Sequence, residues 1–154
     1  MAYRRDCRWV AFRLAGGLAG FVSLGVLAGC PQIDSQMVRD RAIGVAEAAK
    51  DFRTGGDKYL FIDARTADEY AKSRIPRARH MDPWNVDIHD PDPAFDEYKE
   101  LIIYGQNPGT VRAEALVKRF YHAKQDHARL LEGGLDAWTK NGNPVEQGPP
   151  PSTK

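Results

Sequence analysis

Cys7 and Cys30 are the two thiols of this 154-residue chain, and a thiolate is the side-chain nucleophile most readily available near neutral pH. Everything after Cys30 is thiol-free. Nucleophilic chemistry there would fall to a hydroxyl such as that of Thr110, which needs an adjacent base, and the sequence places none at short spacing. Thr110 is expected instead to cap a helix. His80 and His89 share a segment with Asp82, Asp87, Asp90 and Asp92, donors suited to zinc or a hard cation. Their spacing matches no ligand pattern, so solvated loop carboxylates are expected and no metal is assigned. His122 and His127 lie five apart across a predicted helix end and do not converge. Arg74, Arg77 and Arg79 form a basic cluster that could touch anionic lipid, with a solvated and partly ion-paired surface as the expectation. Asp63 and Arg65, at the end of a predicted strand, are expected to bond each other or turn amides.

The residues before Cys30 indicate its fate. Arg4, Arg5, Arg8 and Arg13 precede an uncharged run from Leu14 to Ala28, the layout of a secretory leader. The run falls short of the roughly 20 apolar residues that a spanning helix needs, and its glycines weaken it further. It ends in Leu27, Ala28, Gly29 and Cys30, which resembles the lipobox of bacterial lipoproteins. The resemblance implies cleavage after Gly29 and acyl chains such as palmitate on Cys30, and more than one chain gives stable attachment. An uncleaved signal anchor is the alternative, and it too leaves the remainder outside the cytoplasm. The expected location is the bacterial cell envelope, on its extracytoplasmic face, at either the inner or the outer membrane.

Of 22 basic and 21 acidic side chains, a cleaved leader removes four arginines and Asp6, leaving 18 and 20 and a formal charge of −2. That balance has no footprint for nucleic acid. A single remaining cysteine also excludes an internal disulfide, so an ordinary core must stabilise what is about one domain's length of chain.

Val38, Ala42, Val45, Ala49 and Phe52 recur at helical steps and predict one amphipathic helix, ended by Gly55 and Gly56. Tyr59 to Ile62, closing on Asp63, and Leu101 to Tyr104, closing on Gly105, are predicted as buried strands. Between them Thr66 to Lys72 is a predicted helix, with Thr66 as N-cap and Glu69 completing a capping box. Pro76 to Tyr98 has no clear period and is predicted as an irregular connection. A helix from Val111 to Tyr121, a strand from Ala128 to Leu131 and a helix from Leu135 to Lys140 follow, and Pro144 and Pro149 to Pro151 close the domain. Strands separated by helices make a single α/β domain with a mainly parallel sheet flanked by helices. The expected divisions are a leader over 1–29, a lipid-anchored tether over 30–37, a folded domain over 38–146 and a Pro-rich tail over 147–154.

Three segments, in this order, resemble rhodanese-like domains. Phe61, Ile62, Asp63, Ala64, Arg65, Thr66, Ala67, Asp68, Glu69 and Tyr70, followed by Ile75, Pro76 and Ala78, resemble the family's opening signature. Leu101 to Tyr104 matches the strand that delivers the active-site loop, and the helix from Val111 the one that leaves it. Glu132, Gly133, Gly134, Leu135, Asp136, Ala137 and Trp138 resemble the closing signature. The match spans roughly Tyr59 to Val145. Asp63, Arg65, Glu69, Gly133, Gly134 and Trp138 are read as fold determinants, the glycines allowing a tight turn and Trp138 burying a large apolar area. Ser73, Arg74 and Arg77 depart from the Gly, His and Gly that commonly flank Ile75 and Pro76 in the family.

In rhodanese-like enzymes the residue after that strand is a cysteine, whose thiolate takes up sulfane sulfur as a persulfide and passes it to an acceptor. Loop amides leading into a helix N-terminus suit both a lowered thiol pKa and an anionic donor such as thiosulfate. Here the loop reads Gly105, Gln106, Asn107, Pro108, Gly109, Thr110, Val111, and Gly105 takes the cysteine's place. Pro108 offers no amide to an anion cradle. The family's arginine near the end of the loop is absent, and Arg112, just beyond, could face an anion but is expected to face water. The resemblance therefore implies a membrane-tethered domain without sulfurtransferase activity or cofactor, acting as a binding or scaffold module for an envelope protein or a small anion. The alternative is an unusual or partner-assisted thiosulfate sulfurtransferase that holds its anion with the Gly105 to Thr110 loop, Val111 and Arg112.

Overall fold

Four short strands, two of them almost wholly buried, pair into one parallel sheet. In the computed structural model, which describes residues 35–107 and 111–149, these strands are β1 (Tyr59–Asp63), β2 (Arg79–His80), β3 (Glu100–Tyr104) and β4 (Ala128–Leu130). Their order is β2-β1-β3-β4 and every pairing is parallel, with Leu60 opposite Leu101 and Ile62 opposite Ile103. Parallel neighbours require crossovers. These are made by α3 (Ala67–Lys72) and α4 (Val111–His122), while α1 (Ser35–Asp40), α2 (Val45–Thr54) and α5 (Gly134–Lys140) complete the layers.

Side chains alternate across a strand, so the sheet serves two cores. Leu60, Ile62, Leu101 and Ile103 pack with Val38 of α1 and Leu116, Val117 and Phe120 of α4. Phe61, Ile102 and Tyr104 face the other way and pack with Ala48 and Ala49 of α2, Tyr70 of α3, and Leu135 and Trp138 of α5. The single α/β domain with its sheet between helices is as expected from the sequence. So is the capping box, in which Glu69 N–H donates to Thr66 Oγ1 at 3.4 Å and Thr66 N–H donates to Glu69 Oε2 at 3.0 Å. The Thr66 hydroxyl, at 2.7 Å from Glu69 Oε2, is the main cause that holds the Glu69 carboxyl below its ordinary pKa.

Three expectations are corrected. The stripe from Val38 to Phe52 is two helices, because Ile43 leaves the helical path to bond the end of β4. Its N–H donates to Leu130 O at 2.8 Å, and its carbonyl accepts from Glu132 N–H at 3.0 Å. The break sends Val38 to one side of the sheet and Ala48 and Ala49 to the other. The segment from Pro76 to Tyr98 is not wholly irregular. It holds β2, two residues long and polar, as well as one-turn 3-10 helices at Pro83–Asn85 and Pro93–Glu97, each introduced by an aspartate that caps it. The basic cluster loses one of its three members, since Arg74 is only 3% exposed, while Arg77 and Arg79 are exposed as expected and Arg77 lies 3.8 Å from Asp57. The Arg74 guanidinium pairs with Glu146 at 2.5 Å, donates to Gly148 O and lies over the Tyr70 ring. That bond fastens the C-terminal segment to α3, helped by Trp138 Nε1, which donates to Pro144 O at 2.8 Å.

No described helix is long and apolar enough to cross a membrane. The leader, Cys30, Pro108, Gly109, Thr110, Pro150 and Pro151 lie outside the described residues.

Candidate functional site

The C-terminal ends of parallel strands are where an open α/β sheet gathers its loops. At that edge β1 delivers Asp63 and Arg65, and β3 delivers Gly105, Gln106 and Asn107. Asp63 is fully buried and Arg65 is 3% exposed. Both carboxylate oxygens are engaged: Oδ1 accepts from the Arg65 backbone N–H at 2.9 Å and from Nε at 3.0 Å, and Oδ2 accepts from a terminal nitrogen at 2.7 Å. Burial opposes the Arg65 charge, yet the Asp63 hydrogen bonds and charge outweigh it and raise the guanidinium pKa. Tyr104 is also buried. Burial first, and then the Asp63 carboxylate, push its phenol well up, and its oxygen accepts from Ile75 N–H at 3.1 Å. The expected mutual bonding of Asp63 and Arg65 is therefore what the structure contains.

Arg65 also holds the loop. It donates to Gln106 Oε1 at 2.6 Å and to Ser73 O at 2.5 Å. Gln106 Nε2 in turn donates to Asp136 Oδ1 at 2.5 Å. A chain of polar contacts thus runs from β1 through the loop to α5, and it occupies the Arg65 guanidinium with protein acceptors. The loop backbone is pinned as well. Leu135 N–H donates to Gly105 O at 2.9 Å and Asp136 N–H to Gln106 O at 2.8 Å. Because a trans peptide sets C=O and the next N–H in opposite directions, the N–H groups of Gln106 and Asn107 point away from α5. Gly134 makes this approach possible: a Cβ there would sit 2.5 Å from Gly105 O, and its φ of +55° disfavours any side chain.

Arg112 faces water in part, as expected, with its side chain 42% exposed, and it also bonds the protein. Its Nε donates to Ala64 O at 3.0 Å and a terminal nitrogen to Asp82 Oδ2 at 2.5 Å. Asp82, held below its ordinary pKa first by the Trp84 N–H and then by Arg112, caps the turn that follows it. Val111 is 79% exposed. His80 Nε2 lies 2.9 Å from Arg65 O, so it braces the same strand end. His127 Nε2 lies 3.1 Å from Phe95 O, at a different part of the fold. Among the described residues no three His, Cys, Asp or Glu side chains come together as a metal site.

Beside the loop, on its α1 and α4 side, is a cavity of about 350 Å³. Gly105 and Asn107 form one wall, Ala113 and Glu114 of α4 another, and Leu130 and Leu131 at the end of β4 a third; Arg39, Ala42 and Glu132 stand around it. The Glu114 side chain is 15% exposed and pairs with Arg39 at 3.6 Å. The sequence pattern singled out neither Arg39 nor Glu114. They come from separate helices with no motif between them, and only the break at Ile43 brings α1 alongside α4.

Residues 45–141 match the rhodanese-like domain family. Several solved structures share the fold. A protein of unknown function from Rhodopseudomonas palustris, described as a possible tyrosine phosphatase, is 21% identical with a TM-score of 0.61, the match covering 77% of this chain and all of that one. A rhodanese-like domain from Anabaena is 20% identical with a TM-score of 0.57, over 70% of this chain and 79% of that one. A thiosulfate sulfurtransferase from Pseudomonas aeruginosa, also 20% identical, matches 70% of this chain with a TM-score of 0.58, but only 19% of its own length. No curated protein matches significantly.

Proposed function

This chain belongs to the rhodanese-like domain family, and we propose that it is a lipid-tethered binding module of the bacterial cell envelope, without sulfurtransferase activity of its own. One observation carries the proposal: Gly105 follows the central strand β3, and no cysteine occurs after Cys30. The family's reaction needs a thiolate that attacks the sulfane sulfur of thiosulfate, breaks its S–S bond, expels sulfite and keeps the sulfur as a persulfide. A hydrogen atom at Gly105 cannot begin that step. The surroundings also suit an anion poorly, because Arg65 and Arg112 are spent on protein acceptors while Glu114, Glu132 and Asp136 stand near the loop. After incubation with thiosulfate, the intact mass of the lipidated protein is expected to stay unchanged. Gain of a sulfur on any residue beyond position 30 contradicts the proposal.

The tether is the second part. Cys30, acylated at the end of the leader, holds the domain on the extracytoplasmic face by several acyl chains. Cys30→Ser is expected to abolish incorporation of labelled palmitate and, because a lipobox is cut only after its thiol is acylated, to leave the leader attached. A native protein that takes up no palmitate and keeps residues 1–29 favours the uncleaved leader as the anchor.

A further inference from the structure

The cavity beside Gly105 has a chemistry of its own. Its walls are mainly apolar, built by Ala42, Ala113 and Leu131, and its size is at the lower end of small-ligand sites. Into these walls α4 sets the Glu114 carboxylate, which is largely withdrawn from water at 15% exposure. A carboxylate so placed calls for a cationic partner. The partner it has is Arg39, at 3.6 Å and 53% exposed, a contact that is long and open to solvent and so is weak. Glu132 stands exposed at the same opening and makes the rim net acidic. Thiosulfate, a compact dianion, meets the wrong charge and an apolar wall here. A molecule with an apolar body and an ammonium end meets the right ones.

We propose that this cavity binds a small apolar primary amine, with the hydrocarbon against Ala42, Ala113 and Leu131 and the ammonium on Glu114, from which Arg39 swings away. The proposal rests on the binding-module function stated above and names a ligand class for it. No covalent step is involved. The three probes are n-hexylamine, n-hexanol and n-hexanoate, equal in body and different in the charge of the end group. Titrated into the intact protein and followed by amide chemical shifts at Ala113, Glu114 and Leu131, hexylamine is expected to bind at least about tenfold more tightly than either of the others, as one charged hydrogen bond allows. Glu114→Gln should remove that preference while leaving hexanol unchanged. Arg39→Ala should tighten the amine, and Ala42→Phe, which fills the cavity from its partly exposed side, should abolish binding of all three. Equal binding of hexylamine and hexanol to the native protein, or binding of none, overturns the proposal. If that happens while thiosulfate is still not turned over, the binding-module function stands without this ligand class; turnover of thiosulfate by the native protein instead removes the function on which the amine site rests.

Discussion

Replacing Arg65 by alanine is expected to lower folding stability by about 3–5 kcal/mol, read as a fall in the urea midpoint at unchanged slope. The cause is what the substitution leaves behind. Asp63 is fully buried, and both of its oxygens accept from Arg65. Without the guanidinium a carboxylate is stranded beneath the loop, Ser73 O loses a donor, and Gln106 loses the contact that orients it toward Asp136. Asp63→Ala should be comparably costly because it strands the opposite charge. Replacing both together, with Asp63→Leu and Arg65→Met, should cost less than either single change, since a buried pair mainly offsets its own desolvation. If Arg65→Ala costs under about 1 kcal/mol, the pair behaves as a surface ion pair and the account of the loop support is wrong.

Trp138→Ala is expected to cost about 3–5 kcal/mol, as large aromatic deletions from a packed core do. The indole is completely buried and meets Phe52 and Phe61 edge to face, at centroid distances of 5.4 and 5.5 Å. It also ties the chain end to α5 through Pro144 O. Trp138→Phe separates the two contributions. It keeps much of the ring packing and loses the N–H, and because Pro144 is exposed only the net worth of one hydrogen bond, about 0.5–1.5 kcal/mol, is expected from that loss. A Trp138→Phe protein as stable as the native one would show that water satisfies that carbonyl.

Much of this architecture is legible in the sequence because its signals are local. Thr66 and Glu69 are three residues apart and form a capping box wherever the helix forms. Tyr59 to Asp63 and Leu101 to Tyr104 are continuous apolar runs, as strands buried on both faces must be. The family resemblance rests on the same segments, and the matching stretch of 45–141 contains them. The misread elements are those set by distant partners. Ile43 fits a helical stripe, yet a single pairing with Leu131 draws it into the sheet. Arg79 and His80 form a strand because β1 lies beside them, and two polar residues carry no periodicity to announce it. Arg74 reads as a surface residue beside its basic neighbours, and only the return of Glu146 and Gly148 explains its burial.

The site divides in the same way. Asp63, Arg65 and Gly105 are visible in the sequence as ends of strands, and their positions follow from parallel pairing. What each group is free to do is not visible, because it depends on contacts from elsewhere. Arg112 bonds Ala64 O and Asp82, and Arg65 bonds Asp63, Ser73 and Gln106, contacts that no local motif announces. Glu114 and Arg39 meet across two helices with no shared motif. Family membership supplies the frame, and function resides in the side chains placed on it. Here that frame carries no thiol at the end of β3.

Thiosulfate turnover by the native protein, measured with cyanide as acceptor beside a Gly105→Ala control, decides whether this loop transfers sulfur. No sulfite or thiocyanate above the control is expected, because no cysteine follows Cys30. Turnover well above the control would contradict that expectation, and would require that a group other than a cysteine thiolate performs the transfer at this loop.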